Sequence, residues 1–347
     1  MEISGQRMPS SVNHTHLPVE RKKTEPSTGN ASPATPYFRD SFERPTAKST
    51  EQAQGAGRSS PKTLLGRLKA VESGAWKDYD KLKANPPQRK DFTKRSDYLK
   101  AKKAHARQLE KLEDKASAAS VRRIKVELGN TASGRALVKD LEKQGVKIHV
   151  DDDPNYPEFK DFPSRAKTTG DKKSIHIRRS AAKASDSPEV LFHEAVHAVL
   201  GNDLAKAQTG DAGPLRAHLK QLGLDPADAD RIKKVTGGWG NPGGPGANEH
   251  VLTAVLTYRY QRELAKQPPL SGARQDELVR RTAQRELALS LLRNIDRPDS
   301  KLTLTQALAM WKSLPQYVTA PKSTSDADIR AFFEEYAKES YVDPSAF

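Results

Sequence analysis

The sequence predicts an α+β fold, mostly helical, with a small β-sheet, set behind a disordered leader and basic helices. Three observations lead there. Apolar residues recur at helical spacing from Leu64 into the C-terminal third, while only two short runs, VKIHV and KSIHIRR, alternate as strands do. Residues 1–60 are Ser, Thr, Pro and Gly rich with few aromatics, a composition that cannot offset its own ordering entropy. The positive charge is uneven: residues 1–128 carry 27 Lys+Arg against 15 Asp+Glu, the remainder 32 against 29.

These observations divide the chain into a leader (1–60), a basic helical segment (61–128) and a folded domain (129–347). With 35% hydrophobic residues in 347 and a mean hydropathy of −0.79, part of the chain is expected to stay outside any core. No apolar run reaches the roughly 18 residues a membrane helix needs, so no membrane span is expected. The N-terminus lacks the apolar segment of a Sec-type signal peptide. Cysteine is absent, which excludes disulfides, thiolate metal sites and a cysteine nucleophile, and suits a reducing compartment. The net charge of +15 admits nucleic acid, acidic lipid or an acidic protein as partner, or simply a solvated basic face.

In chain order, residues 62–84 place Leu64, Leu65, Leu68, Val71, Trp76, Tyr79 and Leu82 on one helical face, and NPPQ (85–88) stops that helix. A second basic helix over 96–119 makes an antiparallel hairpin with it. NTASGRALVKDLEKQG reads as a helix ended by Gly145. Strand 146–150, the acidic turn DDDPN and strand 173–179 follow. The next helix runs from Pro188 to Leu200, with Ser187 as N-cap, Glu189 in its first turn and Gly201 just past its end. Further helices are expected over NEHVLTAVLTYRY (248–260) and near 272–293, 303–313 and 325–340.

The helix 188–200 carries His193 and His197 four residues apart, with Glu194 after the first, in a chain of only 9 histidines. Positions i and i+4 share one face, so the two imidazoles stand side by side, and Glu194 projects one step round the helix. That is the mechanical content of H-E-x-x-H: two zinc ligands and a carboxylate placed to take a proton from water. The plainer reading is a core helix with satisfied histidines; the helix's clear start and stop signals and the lack of a cysteine alternative favour Zn2+.

A catalytic zinc needs a third protein ligand. Glu249 is favoured, because a donor on a second packed helix is held firmly. Asp203, just past the first helix, and His250 are the alternatives. GGWGNPGGPG (237–246) contains a literal GxGxxG, but Pro242 and Pro245 break the strand–turn–helix context of a nucleotide site, and it reads as a loop leading to Glu249. Tyr258 and Tyr260 are candidates to stabilise an oxyanion, or simply to pack.

The order NTASGRALVKDLEKQGVKIHVDDD, KSIHI, SPEVLFHEAVHAVLGND resembles the NleD-like zinc peptidases, a family of bacterial type III secretion effectors, over about residues 129–260. The resemblance implies a zincin-like metallopeptidase domain and a zinc endopeptidase. It implies injection into the host cell cytoplasm and a host protein substrate, such as a signalling kinase, in the service of virulence. His193 and His197 match the ligands and Glu194 the catalytic base; the Ser/Pro-rich leader resembles a secretion and chaperone-binding segment. The Asp203 spacing is similar to that of the NleC-like, aspartate-type effectors. The basic 61–128 segment and the glycine loop depart from the pattern. A reading of another class is a basic nucleic-acid or scaffold-binding protein with a non-catalytic metal site. Nucleic acid is not the expected partner, because no zinc-finger, aromatic-stacking or recognition-helix signature is present.

Overall fold

The computed structural model describes residues 63–151, 165–235, 245–297, 300–313 and 320–338. The leader, most of the DDDPN turn and most of the glycine loop lie outside these residues. The fold is α+β and mostly helical, with one three-stranded sheet.

Helix α1 (Leu64–Lys83) is capped by Thr63, whose hydroxyl accepts from the Gly66 N–H at 3.0 Å. The prolines Pro86 and Pro87 follow its end, as expected. Helix α2 (Arg95–Leu128) is longer than its expected 96–119. It continues because Ala116, Ser120, Ile124 and Leu128, four residues apart, are buried against the rest of the fold. Trp76 of α1 donates to Ser120 Oγ at 2.9 Å, which joins the two helices.

Helix α3 (Ala132–Lys143) begins at Thr131, whose hydroxyl accepts from Gly134 N–H. A Cβ at Gly134 would lie 2.0 Å from the Leu128 carbonyl, so only glycine lets α3 fold back this closely on α2. Gly145, with φ +68, ends the helix as expected. Strands β1 (Lys147–Asp151), β2 (Ala166–Thr168) and β3 (Ser174–Arg178) form a sheet of order β1-β3-β2, in which β3 is parallel to β1 and antiparallel to β2. Val150, Ile175 and Ile177 point into the core. On the opposite face the register pairs His149 with His176, and their rings stack at 5.0 Å.

After a short helix α4 (Arg179–Lys183) comes α5 (Ser187–Gln208), buried along its whole first half and packed against α2, α3, β2 and a later helix over Pro245–Leu264. Two expectations for its ends are corrected. Asp186, not Ser187, is the N-cap, and it makes no side-chain cap, because Arg165 engages both its oxygens at 2.6 and 2.7 Å. Nor does Gly201 end the helix; it lies inside it, at a point where a Cβ would come 2.8 Å from Cε of Lys172. The glycine serves the passage of that side chain rather than a turn.

Helices α6 (Gly213–Gln221), α7 (Ala227–Val235), α8 (Pro245–Leu264), α9 (Gly272–Asp296), α10 (Leu304–Lys312) and α11 (Asp326–Lys338) complete the described fold. One hydrophobic cluster runs from Trp76 and Tyr79 of α1 through Ile124, Ile175 and Phe192 to Val255 and Val279. Among the described residues no helix is long and apolar enough to cross a membrane.

Candidate metal centre

Helix α5 brings His193, Glu194 and His197 to one cleft of about 260 Å³. Glu249 and His250, in the second turn of α8, line it too, with Thr168 of β2, Lys172 of the β2–β3 turn and Arg293 of α9. All three motif side chains are buried.

The Nε2 atoms of His193 and His197 face one another at 3.3 Å. His197 donates from Nδ1 to Glu249 Oε1 at 2.7 Å. A proton on Nδ1 directed at that carboxylate leaves Nε2 as the ring nitrogen that faces the cleft. The same Glu249 oxygen accepts from Lys172 Nζ. Burial works against a charged Glu249, but the contacts with His197 and Lys172 outweigh it and hold the carboxyl down at about 2. Burial also holds the His193 imidazole well below its usual range, and positive charge on His197, His250 and Arg285 adds to this. Neutral imidazole is the form that binds metal.

The ring of His250 lies 4.9 Å from that of His197 and 6.4 Å from that of His193, and the latter two are 5.0 Å apart. Three imidazoles and a carboxylate therefore share one small cleft, a donor set suited to zinc. Among the described residues no three His, Asp or Glu side chains stand arranged as a ready-made ion site.

Thr168 fixes the motif glutamate. Its hydroxyl lies 2.7 Å from Glu194 Oε2 and 2.9 Å from the Glu194 carbonyl, two acceptors that share its single proton, so a strand residue is anchored against Glu194. Lys172 sits at φ 61, the left-handed region that non-glycine residues seldom adopt, and reaches Glu249 from there. Sequence reasoning missed Thr168, Lys172 and Arg293. The one available signal was the TTGDKKS turn, whose left-handed position is filled by lysine instead of glycine.

Other candidates stand elsewhere. Asp203 lies within α5, where its Oδ2 is 2.7 Å from His218 Nδ1, while Asp140 Oδ2 is 2.6 Å from His218 Nε2; Asp203 does not line the cleft. Tyr258 packs with Leu270 and Leu278, and Tyr260 stacks on Phe192 at 4.5 Å, so neither tyrosine lines the cleft. Tyr260 instead lines a larger cavity, of about 1120 Å³, beside α1 and the start of α5, which contains none of the motif residues. No family model matches this chain, no curated protein matches it, and no solved structure matches it.

Proposed function

We propose that this protein is a zinc-dependent endopeptidase. The observation that carries the reading is the convergence of the His193 and His197 Nε2 atoms in a cleft where Glu194 is held by Thr168. His193 and His197 are the first two zinc donors. The third comes from the start of α8. The ring spacings favour His250, with Glu249 as the acceptor that orients His197. Glu249 as direct donor is the competing assignment, supported by its second oxygen, Oε2, which has no hydrogen bond among the described residues.

Bound zinc supplies Lewis acidity, lowering the pKa of water and polarising the scissile carbonyl. Glu194 takes the attacking water's proton and returns it to the leaving amine. Thr168 keeps that carboxylate in one orientation, and the cationic side chains of Arg293 and Lys167 line the same cleft. The edge strand β2 pairs only with β3 among the described residues, and an extended peptide added along it would pass the motif.

Secretion by a type III system, a host signalling protein as substrate and a chaperone at the leader belong to this proposal through the NleD-like resemblance of the motif region. The test is a search for new protein termini in host lysate treated with the wild type and with Glu194→Gln. Cleavage by the wild type alone, with zinc bound by both proteins, is expected; His193→Ala and His197→Ala are expected to lose most of the metal. Equal cleavage by Glu194→Gln would overturn the mechanism, and metal without any cleavage would favour the non-catalytic binding protein.

A further inference from the structure

The end of the α1–α2 hairpin carries a surplus of positive charge. Between Lys81 and Lys111 stand eleven Lys and Arg residues against Asp91, Asp97 and Glu110, a surplus of eight, and all eleven cations are exposed. Lys83 lies over the Tyr79 ring; none of the other ten forms an ion pair among the described residues. Four of them, Lys100, Lys103, Arg107 and Lys111, follow one another at steps of three and four and so form a single stripe along α2. Leu109 and Leu112, on the other side of the helix, pack toward the core. The first fully buried side chain of α2 is Ala116. The helix from Arg95 to that point therefore runs about 31 Å with one face open.

Beside the stripe, Leu99 is 51% exposed, and Phe92 and Tyr98, with ring centroids 5.9 Å apart, are half-buried at the same end. An exposed leucine flanked by Arg95, Lys102 and Lys103 gains nothing against a phosphodiester backbone. It does gain from entering the headgroup boundary of a bilayer, with the lysine and arginine stems lying along the surface. The two rings are tilted by 58° and present no flat platform for stacked bases. We infer that this end of the hairpin is a docking surface for an anionic lipid bilayer. It holds the protein peripherally, and it rests on none of the chemistry proposed for the cleft.

Each cation near such a surface strengthens binding about fivefold at low salt. The full chain is mixed with phosphatidylcholine vesicles, with or without phosphatidylserine, and the bound fraction is read by co-sedimentation. Wild type is expected to bind only the phosphatidylserine vesicles and to leave them at high salt. Replacing the four stripe cations with glutamine should weaken binding by about several hundredfold. Leu99→Ser, which keeps every charge, should weaken it severalfold and guards against a folding defect in the fourfold variant. Binding that ignores phosphatidylserine, or that survives the fourfold change, overturns the inference. So does tighter binding to an RNA or DNA duplex than to the vesicles at equal salt.

Discussion

Glu249 and His250 are neighbours in sequence, yet their side chains meet the motif differently: one carboxylate oxygen sits on the Nδ1 side of His197, while the His250 ring stands 4.9 Å from the His197 ring. The two roles differ in size of effect. Losing one of three protein donors removes most of the affinity, whereas losing the carboxylate that orients a ligating histidine typically costs about 10–100-fold. Zinc affinities of His250→Ala, Glu249→Ala and Asp203→Ala measured side by side should therefore fall most for His250, next for Glu249 and little for Asp203, whose carboxylate is engaged by His218. A Glu249→Ala loss larger than that of His250→Ala would make Glu249 the donor, and a dominant Asp203 effect would point to an aspartate-type site. At this scale the sequence shows what lies on one helix. His193, Glu194 and His197 are legible because four residues of α-helix fix their geometry. Thr168, Lys172 and Arg293 are not, because each arrives from another element, and Lys172 does so through a backbone conformation that its residue type does not announce.

A glycine after a run of buried apolar residues looks like a helix stop, and by local rules Gly201 is one. The helix continues because Leu204 and Ala207 are buried beyond it. What the glycine provides is a gap for Lys172, which crosses α5 there on its way to Glu249. Gly201→Ala follows from this. Alanine improves helix propensity by about 1 kcal/mol, and the atom that its Cβ meets is the far part of a flexible lysine, which can move aside. Urea unfolding should show a stability within about 1 kcal/mol of wild type, while the zinc affinity changes severalfold, because the Lys172–Glu249 pair is displaced. A large stability loss with an unchanged site would mean that the glycine serves packing alone. The elements that escaped the sequence share a cause. Strand β2 has three residues, too few for an alternation to mark, and α6 and α7 take their positions from contacts with α5 and α9 that no local pattern announces.

The change in composition at Gly129 marks a change of surface, since the core runs across it. Charge falls there from strongly basic to nearly neutral, as the sequence shows, but the exposed lysines of α1 and α2 hide the faces that pack inward. Trp76 and Tyr79 are buried, and their rings meet edge to face at 5.5 Å. Arg179, which follows β3, lies over the Trp76 ring at 4.0 Å and pairs with Asp80 of α1 at 2.6 Å. Arg123 of α2, almost fully buried, bonds Glu72 of α1, the Ala182 carbonyl and, at 3.3 Å, Ser187 Oγ at the first residue of α5. The hairpin therefore reaches the start of the helix that carries the motif. Trp76→Ala removes the largest side chain of this seam and leaves Ser120 without its donor. Such a change costs about 3–5 kcal/mol, about a fifth or more of the roughly 5–15 kcal/mol that stabilises an ordinary domain. Urea unfolding followed by circular dichroism should show one transition moved to lower denaturant with an unchanged slope, because hairpin and motif helix share one core. Two separate transitions, with zinc binding retained through the first, would instead make the hairpin an independent unit.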